Sequence, residues 1–119
     1  MRGLTILVAT ADPARFRAAL STAAAAAALG SSARVFLQEE AVALLERSDD
    51  PDAARLHAAG LPDESELLAI AQESGVQLVV CQSGLALAGL ELHALPAGTE
   101  AGGLVSVLAT LGDDRLLAF

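Results

Sequence analysis

The sequence predicts an α/β fold, a parallel sheet covered by helices on both faces, and three observations predict it. The apolar runs at residues 4–9, 33–37 and 76–81 are continuous rather than alternating, the pattern of strands buried on both faces. Between these runs lie segments with helix caps and with apolar residues at three- and four-residue spacing. The two kinds of segment alternate along the chain with short connections, the order that lays a helix over the sheet between parallel strands.

Taken in order, Leu4-Thr5-Ile6-Leu7-Val8-Ala9 is the first strand. Asp12-Pro13 follows it: Asp caps free amides of a first helical turn, and Pro at the first helical position gives up no hydrogen bond. Phe16, Leu20, Ala23 and Ala27 continue at spacings of four, three and four, predicting a helix over 13–29 that Gly30 stops. Residues 33–37 form a second strand, and 39–47 form a helical stretch with Val42 and Leu45 on one face. The pattern weakens over 48–62, a surface excursion that opens on the turn chemistry of Ser48-Asp49-Asp50-Pro51-Asp52 and holds two helical turns over 53–59. Asp63-Glu64-Ser65-Glu66 is a capping box with Asp as the cap, and it starts a helix whose inner face is Leu67, Ile70 and Ala71 and which ends at Gly75. After the strand at 76–81, residues 82–89 read as a loop opening a short helix. The chain to Gly98 carries no clear pattern, and 99–101 read as a brief strand. Leu104, Leu108 and Leu111 mark a final helix ended by Gly112, and 115–119 read as a closing strand. With no repeat and no linker, residues 1–119 are expected to form one domain.

Composition narrows the function. Of 119 residues, 27 are Ala and 22 are Leu, while aromatics make up 3%, so the core is small and aliphatic. All seven basic residues are Arg, which excludes Schiff-base chemistry and the phosphate-loop lysine. A formal net charge of -8 and a pI near 4.5 oppose nucleic acid and anionic membrane as partners. The longest unbroken apolar run, residues 23–29, is far below the roughly 20 residues of a membrane span, and the apolar stretch after Met1-Arg2-Gly3 is too short for a signal core. A cytoplasmic location is the expectation. A charged fraction of 18% with a mean hydropathy of +0.53 is low in charge for a small monomer, and predicts an apolar surface covered by like subunits.

In an open parallel sheet the ligand site lies beyond the carboxyl ends of the strands. Three segments fall there: Thr10-Ala11-Asp12, Gln38-Glu39 and Cys81-Gln82-Ser83-Gly84. The first has no glycine, which argues against a dinucleotide site. Cys81 is the only cysteine, so it forms no internal disulfide and has no resolving partner. It ends a buried strand just before a helix start, where free amides favour a thiolate; the amides of Gln82, Ser83 and Gly84 are the candidate donors. A buried cysteine also serves as a small apolar filler at such a position, and this reading stays open. His57 and His93 are expected at the surface or in an interface, with no ligand set at metal spacing, although one histidine near Cys81 would be a base. The Asp49-Asp50-Asp52 cluster and Asp113-Asp114 lack the pattern of a calcium loop and read as solvated turns.

The order of an opening strand, an Ala-rich helix ending in Gly, a second strand with Val35-Phe36, and Gly75-Val76-Gln77-Leu78-Val79-Val80-Cys81 resembles the DsrE/DsrF-like family of small sulfur-relay proteins. Gly89-Leu90 and the closing Asp114-Arg115-Leu116-Leu117-Ala118-Phe119 extend the resemblance over nearly the whole chain. Residues 75–81 are its most specific part, because the family's sulfur-carrying cysteine follows such a glycine turn and strand. The resemblance implies a three-layer α/β/α sandwich with a mostly parallel five-stranded sheet, assembly as a trimer or hexamer, and Cys81 as the sulfur acceptor. It further implies thiol or persulfide donor and acceptor proteins as partners and no cofactor. In two places the sequence departs from the family: Gln38-Glu39-Glu40 stands where a Gly-containing turn is expected, and the segment after Cys81 is unusually apolar. The family also has members without the cysteine, which leaves a second reading: a non-catalytic oligomeric subunit or small-ligand module in which Cys81 only packs. A peroxide-reducing thiol is a third, and it would leave sulfenic acid on Cys81.

Overall fold

The computed structural model describes residues 1–46 and 50–119. Five strands form one sheet: β1 (Leu4–Val8), β2 (Ala33–Leu37), β3 (Gln77–Cys81), β4 (Glu100–Gly102) and β5 (Arg115–Ala118). Their order is β4-β3-β2-β1-β5 and every neighbouring pair is parallel. The helices are α1 (Pro13–Ala28), α2 (Ala53–Ala58), α3 (Glu64–Glu73), α4 (Gln82–Ala88) and α5 (Leu104–Ala109), with 3-10 turns at Glu39–Leu45 and Leu92–Ala94.

From β1 to β4 each crossover steps outward in one direction, whereas α5 carries the chain back across the sheet to the far side of β1. Right-handed crossovers put the helices of the outward steps on one face and the helix of the return on the other, which makes three layers. α1 packs on β1 and β2 and against α3. Its inner face is Phe16, Ala19, Leu20 and Ala23, and α3 contributes Leu67 and Ala71. Side chains of both parities are buried in the central strands, Ile6 and Val35 on one face and Thr5 and Phe36 on the other, which is why those strands read as continuous apolar runs. No helix among the described residues is long and apolar enough to cross a membrane.

Several boundaries differ from the sequence reading. Residues 39–45 wind as a 3-10 helix, in which Ala41 and Leu44, three residues apart, share one buried line. The remaining residues of that stretch and of the acidic turn, Arg47, Ser48 and Asp49, lie outside the described residues. No loop separates β3 from α4: the helix begins at Gln82 with Cys81 as its cap. α5 stops at Ala109 rather than reaching Leu111, and β4 begins one residue later than expected.

The aspartates are also not simply solvated. Arg17 on α1 reaches Asp52 at 2.9 Å and Asp50 at 3.7 Å, and Asp50 accepts from the Glu64 amide at 2.9 Å. These contacts pin the excursion that lacks an apolar face of its own. Asp114 accepts from the Thr5 hydroxyl at 2.8 Å, and Thr5 in turn accepts from Arg34, whose guanidinium also donates to Thr110 and the Val107 carbonyl. This network ties α5 to β1 and β2.

Candidate functional site

The register of the sheet builds the site. Leu37 of β2 lies level with Val80 of β3, so Gln38, just past β2, and Cys81, the last residue of β3, stand side by side. Glu39 follows one step further and closes over the sulfur. Cys81, extended at φ -69 and ψ 130, turns directly into α4, which brings the amides of Ser83 and Gly84 back toward its side chain. The backbone amides of Glu39, Gly84 and Ser83 and the Ser83 hydroxyl lie close enough to the Cys81 thiol to favour its charged form, although the side chain makes no capping hydrogen bond to α4. Burial pushes the thiol up, and these donors more than offset it, so the net direction is below an ordinary cysteine. Cys81 is 8% exposed, held at the rim of the core rather than out in solvent.

Two backbone features make this cradle possible. Glu39 has φ +48, the left-handed region that side chains other than glycine rarely enter. The turn thus keeps the glycine-type backbone while carrying glutamate, which accounts for the missing glycine after the second strand. Gly84 is needed for close approach: a Cβ there would overlap Val42 and lie 2.5 Å from the Glu39 carbonyl oxygen. The 3-10 turn and α4 are pressed together at this point, and Gly84 is buried.

Of the residues singled out in the sequence, Cys81, Ser83 and Gly84 come together, and Gln82, between them, is exposed. Glu39 joins them from the turn after β2. Its position beyond the second strand put it at the right edge of the sheet; what no local pattern shows is its left-handed backbone, which turns the amide onto sulfur.

His57 is engaged by the start of α3. His57 Nε2 lies 2.6 Å from Glu66 and 3.2 Å from Asp63, joining α2 to the cap of α3. The Glu66 hydrogen bond is the main reason its pKa is raised above 6.5. These three residues also bring ligand-type atoms within 4.8 Å of one another, but the ion pair and the capping box already engage them. His93 lies in the second 3-10 turn, on an open cavity of about 440 Å³ lined with Leu92, Pro96 and Thr99. A second groove, of about 360 Å³, borders the cysteine cradle and is lined by Ala9, Gln38, Glu39, Glu40 and Leu87.

The fold and this arrangement define a class: small parallel α/β proteins with a single amide-held thiol at the carboxyl edge of the sheet. The chain belongs to the DsrE/DsrF-like family, whose model matches residues 3–119. Among solved structures it is similar to the ychN protein from E. coli, known from a crystal structure, at 22% identity over 100% of both chains and a TM-score of 0.74. That likeness is one of fold. No match was found among the curated proteins.

Proposed function

We propose that the protein is a sulfur carrier that accepts sulfane sulfur on Cys81 and passes it on as a persulfide. What supports this reading is that the amides of Glu39, Ser83 and Gly84, from two separate turns, favour ionisation of the one thiol of a DsrE/DsrF-like chain in spite of its burial. A filler cysteine needs no such donors, whereas a nucleophile must be a thiolate. In the forward step the Cys81 thiolate, its proton already lost to solvent, attacks the outer sulfur of a donor persulfide R–S–SH. The Sγ–S bond forms, the donor S–S bond breaks, and R–S⁻ leaves with the electron pair and takes up a proton. An acceptor thiolate then repeats the attack on the outer sulfur of Cys81–S–SH. No net oxidation occurs, so one cysteine suffices and no cofactor is required. The amides of Glu39, Ser83 and Gly84 hold the thiolate that opens each cycle and is restored at its end.

The low exposure of Cys81 favours the competing reading of a non-catalytic subunit in which the residue packs. Intact-mass measurement after incubation with polysulfide at high salt separates the two. A gain of one sulfur atom, absent in Cys81→Ser, is expected of a carrier; an unchanged mass overturns it, and a gain of one oxygen with peroxide, without any sulfur uptake, points to the peroxide-reducing thiol.

The carrier works as a homo-oligomer, a trimer or hexamer, in this proposal. Val105 on α5 is 84% exposed, and Leu108, Leu116 and Leu117 near it in sequence are also exposed. Apolar side chains of this kind are covered when like subunits pack. Native mass spectrometry is expected to show three or six copies; a monomer at micromolar concentration removes this part of the proposal and leaves the thiol chemistry standing.

A further inference from the structure

The charges beside the cysteine cradle are acidic. At the amino edge of the sheet the charges are mixed, Arg2, Arg34 and Arg115 standing before or at the start of β1, β2 and β5 together with Asp113, Asp114 and Glu100. At the carboxyl edge, where Cys81 sits, stand Asp12, Glu39 and Glu40. Of the other described arginines, Arg17 is committed to Asp50 and Asp52, Arg55 lies on α2, and Arg15 pairs at 3.9 Å with Asp12. The groove beside the cysteine cradle holds Glu39, Glu40 and Gln38, with no cation among the described residues, and its apolar wall is Leu87, 69% exposed. Any sulfur that reaches Cys81 from this groove passes two exposed carboxylates, one of them on the residue whose amide holds the thiol.

Resting on the proposed role of Cys81, we infer that this mouth selects a partner polypeptide whose sulfur-bearing cysteine is flanked by Lys or Arg side chains, and discriminates against small anionic sulfur donors. A shallow groove with an exposed leucine beside paired carboxylates has the makeup of a protein contact. An anion entering here meets the carboxylates, the thiolate and the -8 net charge of the chain together, whereas a basic segment is drawn in by all three.

Methanethiosulfonate reagents of near-equal size test the charge of the mouth without requiring sulfur uptake. In each, the thiolate attacks the sulfenyl sulfur, the mixed disulfide forms and methanesulfinate leaves. The aminoethyl, methyl and sulfonatoethyl reagents carry positive, zero and negative charge. Relative to free cysteine, Cys81 is expected to favour the cationic over the anionic reagent by about tenfold or more at low ionic strength, the preference collapsing near 1 M salt. Glu39→Gln together with Glu40→Gln removes most of it, and the salt series on the unmodified chain gives the same answer should the double variant not fold. A rate ratio equal to that of free cysteine and flat with salt overturns this inference. A charge-selective Cys81 that takes no sulfur from polysulfide at high salt overturns the carrier reading instead, and a Cys81 that the neutral methyl reagent cannot label overturns both.

Discussion

Replacing Gly84 with alanine tests whether the amide cradle is what makes Cys81 a thiolate. A Cβ at this position would sit 2.5 Å from the Glu39 carbonyl oxygen, about 0.9 Å short of the 3.4 Å at which ordinary contact begins, and would also overlap Val42. Glu39 has little room to yield, because its backbone is already in the left-handed region. Either α4 lifts away from the 3-10 turn or the Glu39 peptide turns, and in both cases its amide leaves the sulfur while the Gly84 amide stays in the chain. A hydrogen bond to a charged acceptor is worth about 1.5–3 kcal/mol, and about 1.4 kcal/mol is tenfold in the ratio of thiolate to thiol. The substitution is therefore expected to slow iodoacetamide alkylation of Cys81 by about tenfold to a hundredfold at pH values below the thiol's titration, with equal rates once both proteins are fully ionised. The overpacking itself costs about 1–3 kcal/mol of stability, read as a lower urea midpoint. Ser83→Ala removes only the hydroxyl and leaves every backbone amide in place, and is expected to slow alkylation less. A folded Gly84→Ala protein that alkylates at the original rate at low pH would refute the reasoning, since the overlap would then have been relieved without disturbing the donor.

Other consequences are independent of the thiol. Arg17→Ala leaves the Asp50 carboxylate, 5% exposed against 12% for the Arg17 side chain, without its cation, and the urea midpoint is expected to fall by an amount equivalent to about 3 kcal/mol; a change below about 0.5 kcal/mol would show that the amides bonded to Asp50 suffice. His57 gains affinity for its proton on folding, so its contribution to stability is complete below pH 6.5 and disappears as pH rises through its higher folded value. Denaturation midpoints are expected to drop across that window, and His57→Gln is expected to remove the drop. Asp52, lowered by hydrogen bonds from Arg55 and Arg17, acts in the opposite sense: its contribution is present above pH 3.8 and lost as pH falls through its depressed folded value. Asp52→Asn is expected to flatten that acid limb of the midpoint curve.

The elements legible in the sequence are those whose signal is local. β1, β2 and β3 are buried on both faces and so carry unbroken apolar runs, and α3 announces itself by the Asp63–Glu66 capping box, whose reciprocal hydrogen bonds span three residues. Long-range polar contacts left no such mark. α2 has no buried residue; it is held by His57 reaching Glu66 and by Asp50 and Asp52 reaching back to Arg17, pairings that no periodicity reveals. Cys81, Ser83 and Gly84 were visible as candidates because a strand end followed by a helix start is a local pattern. Glu39 was legible only as a residue at the carboxyl edge; its approach to Cys81 was not, because that depends on the β2–β3 register and on a backbone conformation its side chain disfavours.

Glu39 consequently joins two properties that substitutions can separate. Its amide faces the sulfur while its carboxylate lines the groove, so Glu39→Gly and Glu39→Gln remove the same charge but treat the backbone differently. Glycine takes φ +48 without the roughly 1 kcal/mol or more that an L side chain loses there, partly offset by its greater freedom in the unfolded chain. The glycine variant is thus expected to melt higher than the glutamine variant, while the two share one alkylation profile with iodoacetamide and one reduced preference for cationic reagents. If the glutamine variant alone lost thiolate reactivity, the cradle would depend on the side chain as well as the backbone. If the two variants melted together, the left-handed turn would carry no strain, and a glutamate would stand there at no cost to the fold.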